Sequence, residues 1–128
     1  MVGLDVTHAT LLTSDAQRRL ADAGTPRARL AWAMLRHYLD FSERIFGERV
    51  CPIHDPLAAA IAVDPSYMTS SLQRDVHVDD GERTRGLTIV DRRGGKREDE
   101  PEDHGRVTVA MGVDADRFLE DLLRALTT

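Results

Sequence analysis

Cysteine is all but missing: Cys51 is the only one among 128 residues. A lone thiol excludes an internal disulfide and suits a reducing compartment. Aromatic residues are few (three Phe, two Tyr, one Trp) and do not alternate with basic ones. Positive charge is in deficit, 17 Lys and Arg against 22 Asp and Glu, for a formal net charge of −5. Nucleic acid is therefore not an expected partner, because binding it needs clustered positive charge to displace counterions. No apolar run approaches the ~18–20 residues that span a bilayer, so no membrane partner is expected either. The N-terminus lacks the basic stretch and apolar run of a secretory leader, and a cytoplasmic location is the expectation. There is no phosphate-binding GxxxxGK[ST] loop, no GxGxxG and no GxSxG.

What remains is an ordinary soluble composition, 41% hydrophobic and 30% charged. The length suits a single domain over residues 1–128, able to bury about two thirds of its unfolded surface. Met1-Val2-Gly3-Leu4-Asp5-Val6-Thr7 reads as a strand apolar on both faces, as in the middle of a parallel sheet. Nothing downstream offers it an evident parallel neighbour, so the chain reads as part of something larger. Its unpaired edge would favour self-association through Met1 to Thr7, and a homo-oligomer is expected.

Ser14, with Gln17 three residues on, is a plausible cap for a short helix that Gly24 stops. Thr25 and Pro26 start a longer helix running to about Phe46 and ending at Gly47. Its residues Leu30, Met34, Tyr38, Phe41 and Ile45 share one face, the expected core stripe, while Trp32, Leu35 and Leu39 widen it or begin a second. A short alanine-rich helix covers Leu57 to Val63 and stops at Asp64-Pro65. Ser66 to Ser70 reads as a connection. The period then changes to two. Val76 and Val78 form one strand, Asp80-Gly81 a turn, and Gly86 to Asp91 the return strand of a hairpin. Gly94 to Gly105 is charged throughout and reads as a loop. Val107, Val109 and Met111 make a further strand. Asp114 or Asp116 then caps a helix with Phe118, Leu119, Leu122, Leu123 and Leu126 on one face.

Chemistry concentrates at His54-Asp55-Pro56, where a helix begins. Asp55 fits the N-cap and Pro56 the first turn, whose missing N–H costs nothing there. In the plainest reading Asp55 is only a cap and His54 a loop residue. In the sharper one the pair faces a site, with Asp55 a metal ligand and His54 an acid or base. His8 follows the first segment at a position where open sheets place ligands. Tyr38 is a weak candidate for lining a pocket. His77 reads as solvated, Cys51 as a small buried hydrophobe, and Glu98 to Asp103 as a solvated acidic run without calcium-loop spacing.

The order of these motifs resembles a known family. Gly3-Leu4-Asp5-Val6-Thr7-His8, Pro52-Ile53-His54-Asp55-Pro56-Leu57-Ala58, Asp64-Pro65, Thr84-Arg85-Gly86-Leu87-Thr88-Ile89-Val90-Asp91 and Val113-Asp114 together resemble the C-terminal portion of the inosine-uridine preferring nucleoside hydrolases. The resemblance implies an α/β fold: a fragment of an open, mostly parallel sheet with an antiparallel hairpin and a C-terminal helix. It implies a calcium-dependent N-ribohydrolase that cleaves ribonucleosides to ribose and free base, in purine and pyrimidine salvage. It assigns Asp55 as a calcium ligand and His54 as the acid that protonates the departing base. The alternative is a non-catalytic α/β association module derived from that fold.

One departure from the family is instructive. Its Asp-x-Asp-x-Gly-x-Asp-Asp cluster, which the resemblance makes the main Ca²⁺ site and source of the water-activating base, has no counterpart here. Asp79-Asp80-Gly81 is turn chemistry. One carboxylate does not satisfy a cation that takes six to eight oxygens. The chain alone is therefore expected to bind calcium weakly and turn over little.

Overall fold

A computed structural model describes residues 1–92 and 106–128. The charged stretch Gly94 to Gly105 and its acidic run lie outside the described residues. The elements in chain order are α1 (Leu4–Thr7), α2 (Ser14–Asp22), α3 (Pro26–Phe46), α4 (His54–Val63), a 3-10 turn (Pro65–Tyr67), β1 (Met68–Arg74), β2 (Val76–Val78), β3 (Thr88–Val90), β4 (Val107–Val113) and α5 (Ala115–Thr127). The fold is mixed α/β, with β1 antiparallel to β4 and β2 antiparallel to β3.

The opening segment is not the expected strand. Met1 alone joins the sheet: its α-amino group donates to the Thr108 carbonyl at 2.6 Å, and Ala110 N–H donates back to the Met1 carbonyl at 2.9 Å. These bonds bracket Val109, the pattern of a parallel bridge. From Gly3 onward the backbone closes on itself. The Gly3 carbonyl accepts from Val6 and Thr7, both at 3.1 Å, and Asp5 stands in the first turn where the helix dipole favours a carboxylate. A strand must find a neighbour for every backbone group, whereas a helical turn satisfies its own. The apolar run was misleading, and residues 4–7 offer no free strand edge for association.

Most predicted helix boundaries are met. Thr25 accepts the Ala28 N–H at 3.0 Å, and Gly47 at φ 77° takes the left-handed conformation that ends α3. The cap of α2 is Thr13 rather than Ser14, and Asp114 rather than Asp116 caps α5. The expected connection at 66–70 is instead the 3-10 turn and the start of β1, whose polar outer residues hid the strand. The hairpin is as expected, with His77 opposite Ile89.

The core stripe of α3 is reversed. Ala28, Leu39 and Ser42 are buried, while Leu30 (65% exposed), Met34 (70%) and Ile45 (60%) face outward with Tyr38 and Phe41. Two apolar arcs compete on this helix, and periodicity does not rank them. The arc containing Ala28, Ala31 and Ser42 admits the closer approach of α2 and α5, so it turns inward. One hydrophobic core then joins Val6, Leu12, Leu20, Leu39, Leu57, Phe118 and Leu123. Tyr67 locks α5 in place: its hydroxyl donates to Asp121 at 2.8 Å and its ring meets Phe118 edge-on.

Candidate active site

The site is assembled by two short stretches zipped antiparallel. Leu12 N–H donates to the Cys51 carbonyl and Ile53 N–H to the Thr10 carbonyl, both at 2.8 Å, and Leu11 bridges Pro52. The pairing keeps Ile53 extended and makes it the N-cap of α4, so the helix starts at His54. Asp55 is therefore not the cap: it occupies the second helical position, with Pro56 behind it in the first turn, where the absent N–H leaves nothing unsatisfied. No backbone N–H binds the Asp55 carboxylate, which is exposed and free of hydrogen bonds and ion pairs among the described residues.

The zipper brings α1 against the head of α4. There Thr7, buried at 3% exposure, places its hydroxyl 2.7 Å from His54 Nδ1. The His8 ring stands 5.2 Å from the His54 ring, tilted by 59°. Thr10, wholly buried, donates its hydroxyl to the Thr7 carbonyl at 2.8 Å and also reaches the Ile53 carbonyl at 3.3 Å. His54 is half-buried, and its Nε2 has no partner among the described residues. An imidazole held at one nitrogen and open at the other is equipped to pass a proton through the open one.

The structure thus gathers His54, Thr7 and His8, with Asp55 one residue on. It does not gather Tyr38, which stands half-exposed on α3 with its ring 6.2 Å from that of Phe41. His77 is exposed on β2. Cys51 is buried in the zipper, and burial pushes its thiol pKa up, away from the reactive thiolate. Thr7 and Thr10 escaped the sequence reading. Thr7 sits 47 positions from His54, and no local pattern marks that pairing.

A calcium ion finds little here. Among the described residues no group of three or more His, Cys, Asp or Glu gathers, and Asp55 offers one carboxylate where six to eight oxygens are wanted. The described residues do not by themselves fit a calcium site. None of their helices is long and apolar enough to cross a membrane.

Comparison with known proteins shows the family. The family model of the inosine-uridine preferring nucleoside hydrolases matches residues 1–120. A Leishmania major inosine-uridine preferring nucleoside hydrolase is 34% identical over 122 residues, 92% of this chain and 36% of that protein. A plant nucleoside hydrolase structure superimposes with a TM-score of 0.86 at 26% identity, covering 98% of this chain and 40% of the other. The purine-preferring ribonucleoside hydrolase from Gardnerella vaginalis gives 0.78 at 35% identity, covering 99% and 39%. The chain therefore spans between a third and two fifths of the length of these relatives. With the family model matched over residues 1–120 and the fold shared at that level, the chain belongs to the inosine-uridine preferring nucleoside hydrolase family.

Proposed function

We propose that this chain supplies the leaving-group acid of a nucleoside N-ribohydrolase site, which cleaves purine or pyrimidine ribonucleosides to ribose and free base. The observation that carries it is the His54 ring, anchored at Nδ1 by Thr7 and open at Nε2. When the C1′–N bond breaks, its electron pair goes to the base and the sugar takes on oxocarbenium character. A proton from His54 Nε2 neutralises the departing base, and water adds to C1′. Proton transfer of this kind is worth about 10²–10⁴-fold in rate. Asp55 is assigned as one ligand of a calcium site that other residues must complete. Tyr38 is retained as a candidate substrate contact. The 128 residues act as one unit, the C-terminal part of the hydrolase fold, which the single hydrophobic core supports. The free buried thiol of Cys51 supports a cytoplasmic location.

The test is release of ribose from inosine and uridine by this chain in millimolar-range calcium, a concentration suited to weak sites of roughly 10⁻⁴–10⁻³ M. The wild type is compared with His54→Ala and Asp55→Ala. Release by the chain alone is expected to be small, and both substitutions are expected to remove it. Release that survives both contradicts the assignment.

A second reading, a non-catalytic association module, is favoured by one observation. The exposed arc of α3 from Leu30 to Ile45 is an apolar strip about 22 Å long. Continuous apolar surface of that kind marks interaction sites. A second copy of this chain is the occupant this reading proposes for the strip, in place of the association expected through Met1 to Thr7.

A further inference from the structure

We propose that Thr7 is the positioning residue for His54, fixing the ring so that Nδ1 keeps its proton and Nε2 is the atom that exchanges one. The Thr7 hydroxyl has one proton and two neighbours, His54 Nδ1 at 2.7 Å and the Leu4 carbonyl at 3.5 Å. Nδ1 either gives or takes a proton across that distance, whereas the Leu4 carbonyl only accepts. Leu4 thus offers the hydroxyl proton a second partner and lets an oxygen lone pair face Nδ1, the arrangement proposed here. A charged imidazolium carries N–H on both nitrogens. Only an accepting Thr7 serves that state, and the same arrangement serves the neutral Nδ1–H ring that remains after Nε2 has given up its proton. Neither partner has to reorganise during the transfer.

The surroundings hold this geometry. Thr7 is buried, so water does not compete for its hydroxyl. Thr10 ties Thr7 to the residue before His54, through its hydroxyl to the carbonyls of Thr7 and Ile53 and through its own carbonyl to Ile53 N–H. The His8 ring stands beside His54, with centroids 5.2 Å apart. The catalytic meaning of Thr7 rests on the hydrolase reading; the tautomer does not, and it is measured without turnover.

The experiment is ¹⁵N NMR of the histidine-labelled chain at a pH well above the ordinary imidazole range, with His54 assigned by its loss in His54→Ala. Wild-type His54 is expected to show a protonated Nδ1 and an unprotonated Nε2. Histidine in solution prefers the opposite tautomer, so Thr7→Val is expected to invert the ratio and Thr7→Ser to restore it. An Nε2–H ring in the wild type overturns the proposal, and so does a ratio unchanged in a folded Thr7→Val. If Thr7→Val does not fold, the wild-type spectrum and Thr7→Ser decide the matter. A wild-type Nδ1–H ring together with ribose release that survives His54→Ala would leave the positioning intact and sink the hydrolase reading alone.

Discussion

Leu30 and Leu39 stand nine positions apart on α3, half a turn out of phase, and their environments are opposite: Leu30 is 65% exposed and Leu39 is fully buried. Leu39→Ala is therefore expected to cost about 2–5 kcal/mol in urea unfolding. Leu30→Ala should stay within about 0.5 kcal/mol, as surface changes do. A larger loss at Leu30 than at Leu39 would mean that the helix is turned the other way.

The outward arc carries its own consequence. Met34→Glu and Phe41→Glu each put a charge into the strip, and a charge buried in an interface without a partner is costly. Sedimentation of the wild type is expected to show concentration-dependent association that either substitution abolishes. A wild type that is monomeric over a hundredfold range of concentration would remove the second copy from α3.

Asp79 organises the turn between β2 and β3. Its carboxylate accepts from the Thr84 hydroxyl, and also from Gly81 N–H at 2.9 Å. Both bonds favour the ionised form, first the Thr84 hydroxyl and then the Gly81 amide, and they hold the Asp79 pKa below the ordinary carboxylate value. The folded pKa thus lies under the unfolded one. The support is present above the usual range near ~3.9 and is lost as pH falls through the lowered folded value. Protection of the Gly81 and Gly86 amides, taken relative to their intrinsic exchange rates, should fall on that acid limb in the wild type. In Asp79→Asn the acid dependence should disappear, and a wild-type hairpin indifferent to acid would contradict the assignment.

Cys51 offers a probe of the zipper. The thiolate is the reactive form, and burial raises the thiol pKa, so reaction with an aromatic disulfide at neutral pH should be slow in the native chain. The rate should rise sharply once urea unfolds the protein. A native rate equal to the unfolded one would mean that the 10–12 and 51–53 stretches are not paired.

Much of this molecule could be read from residue order because the relevant signals are local. Thr25-Pro26, Gly47 and Asp114 mark helix ends through bonds made within a turn of themselves, and Val76 to Val90 marks its hairpin by alternation. Other features are decided at long range. Met1 to Thr7 reads as a strand apolar on both faces, yet among the described residues only Met1 pairs with a strand. On α3, two apolar arcs differ in bulk rather than in period, and the closer-packing one is inside. At the site, His54 and Asp55 were legible as a pair. The cap role given to Asp55 was displaced by the Thr10–Ile53 pairing, which shifts the helix start to His54. Thr7 was legible only as part of the segment Gly3 to His8 that resembles the family; its role was not, since its partner lies in a different stretch of chain.

The most direct measurement compares two substrates in a hybrid hydrolase, in which this chain replaces the superimposing segment of the Gardnerella vaginalis relative, 99% of the chain being covered there. Inosine loses a base that needs a proton, whereas nitrophenyl riboside loses an anion that does not. His54→Ala is expected to slow inosine hydrolysis by about 10²–10⁴-fold and to leave nitrophenyl riboside nearly unaffected. An equal loss on both substrates, or inosine turnover that survives the substitution, would contradict His54 as the leaving-group acid.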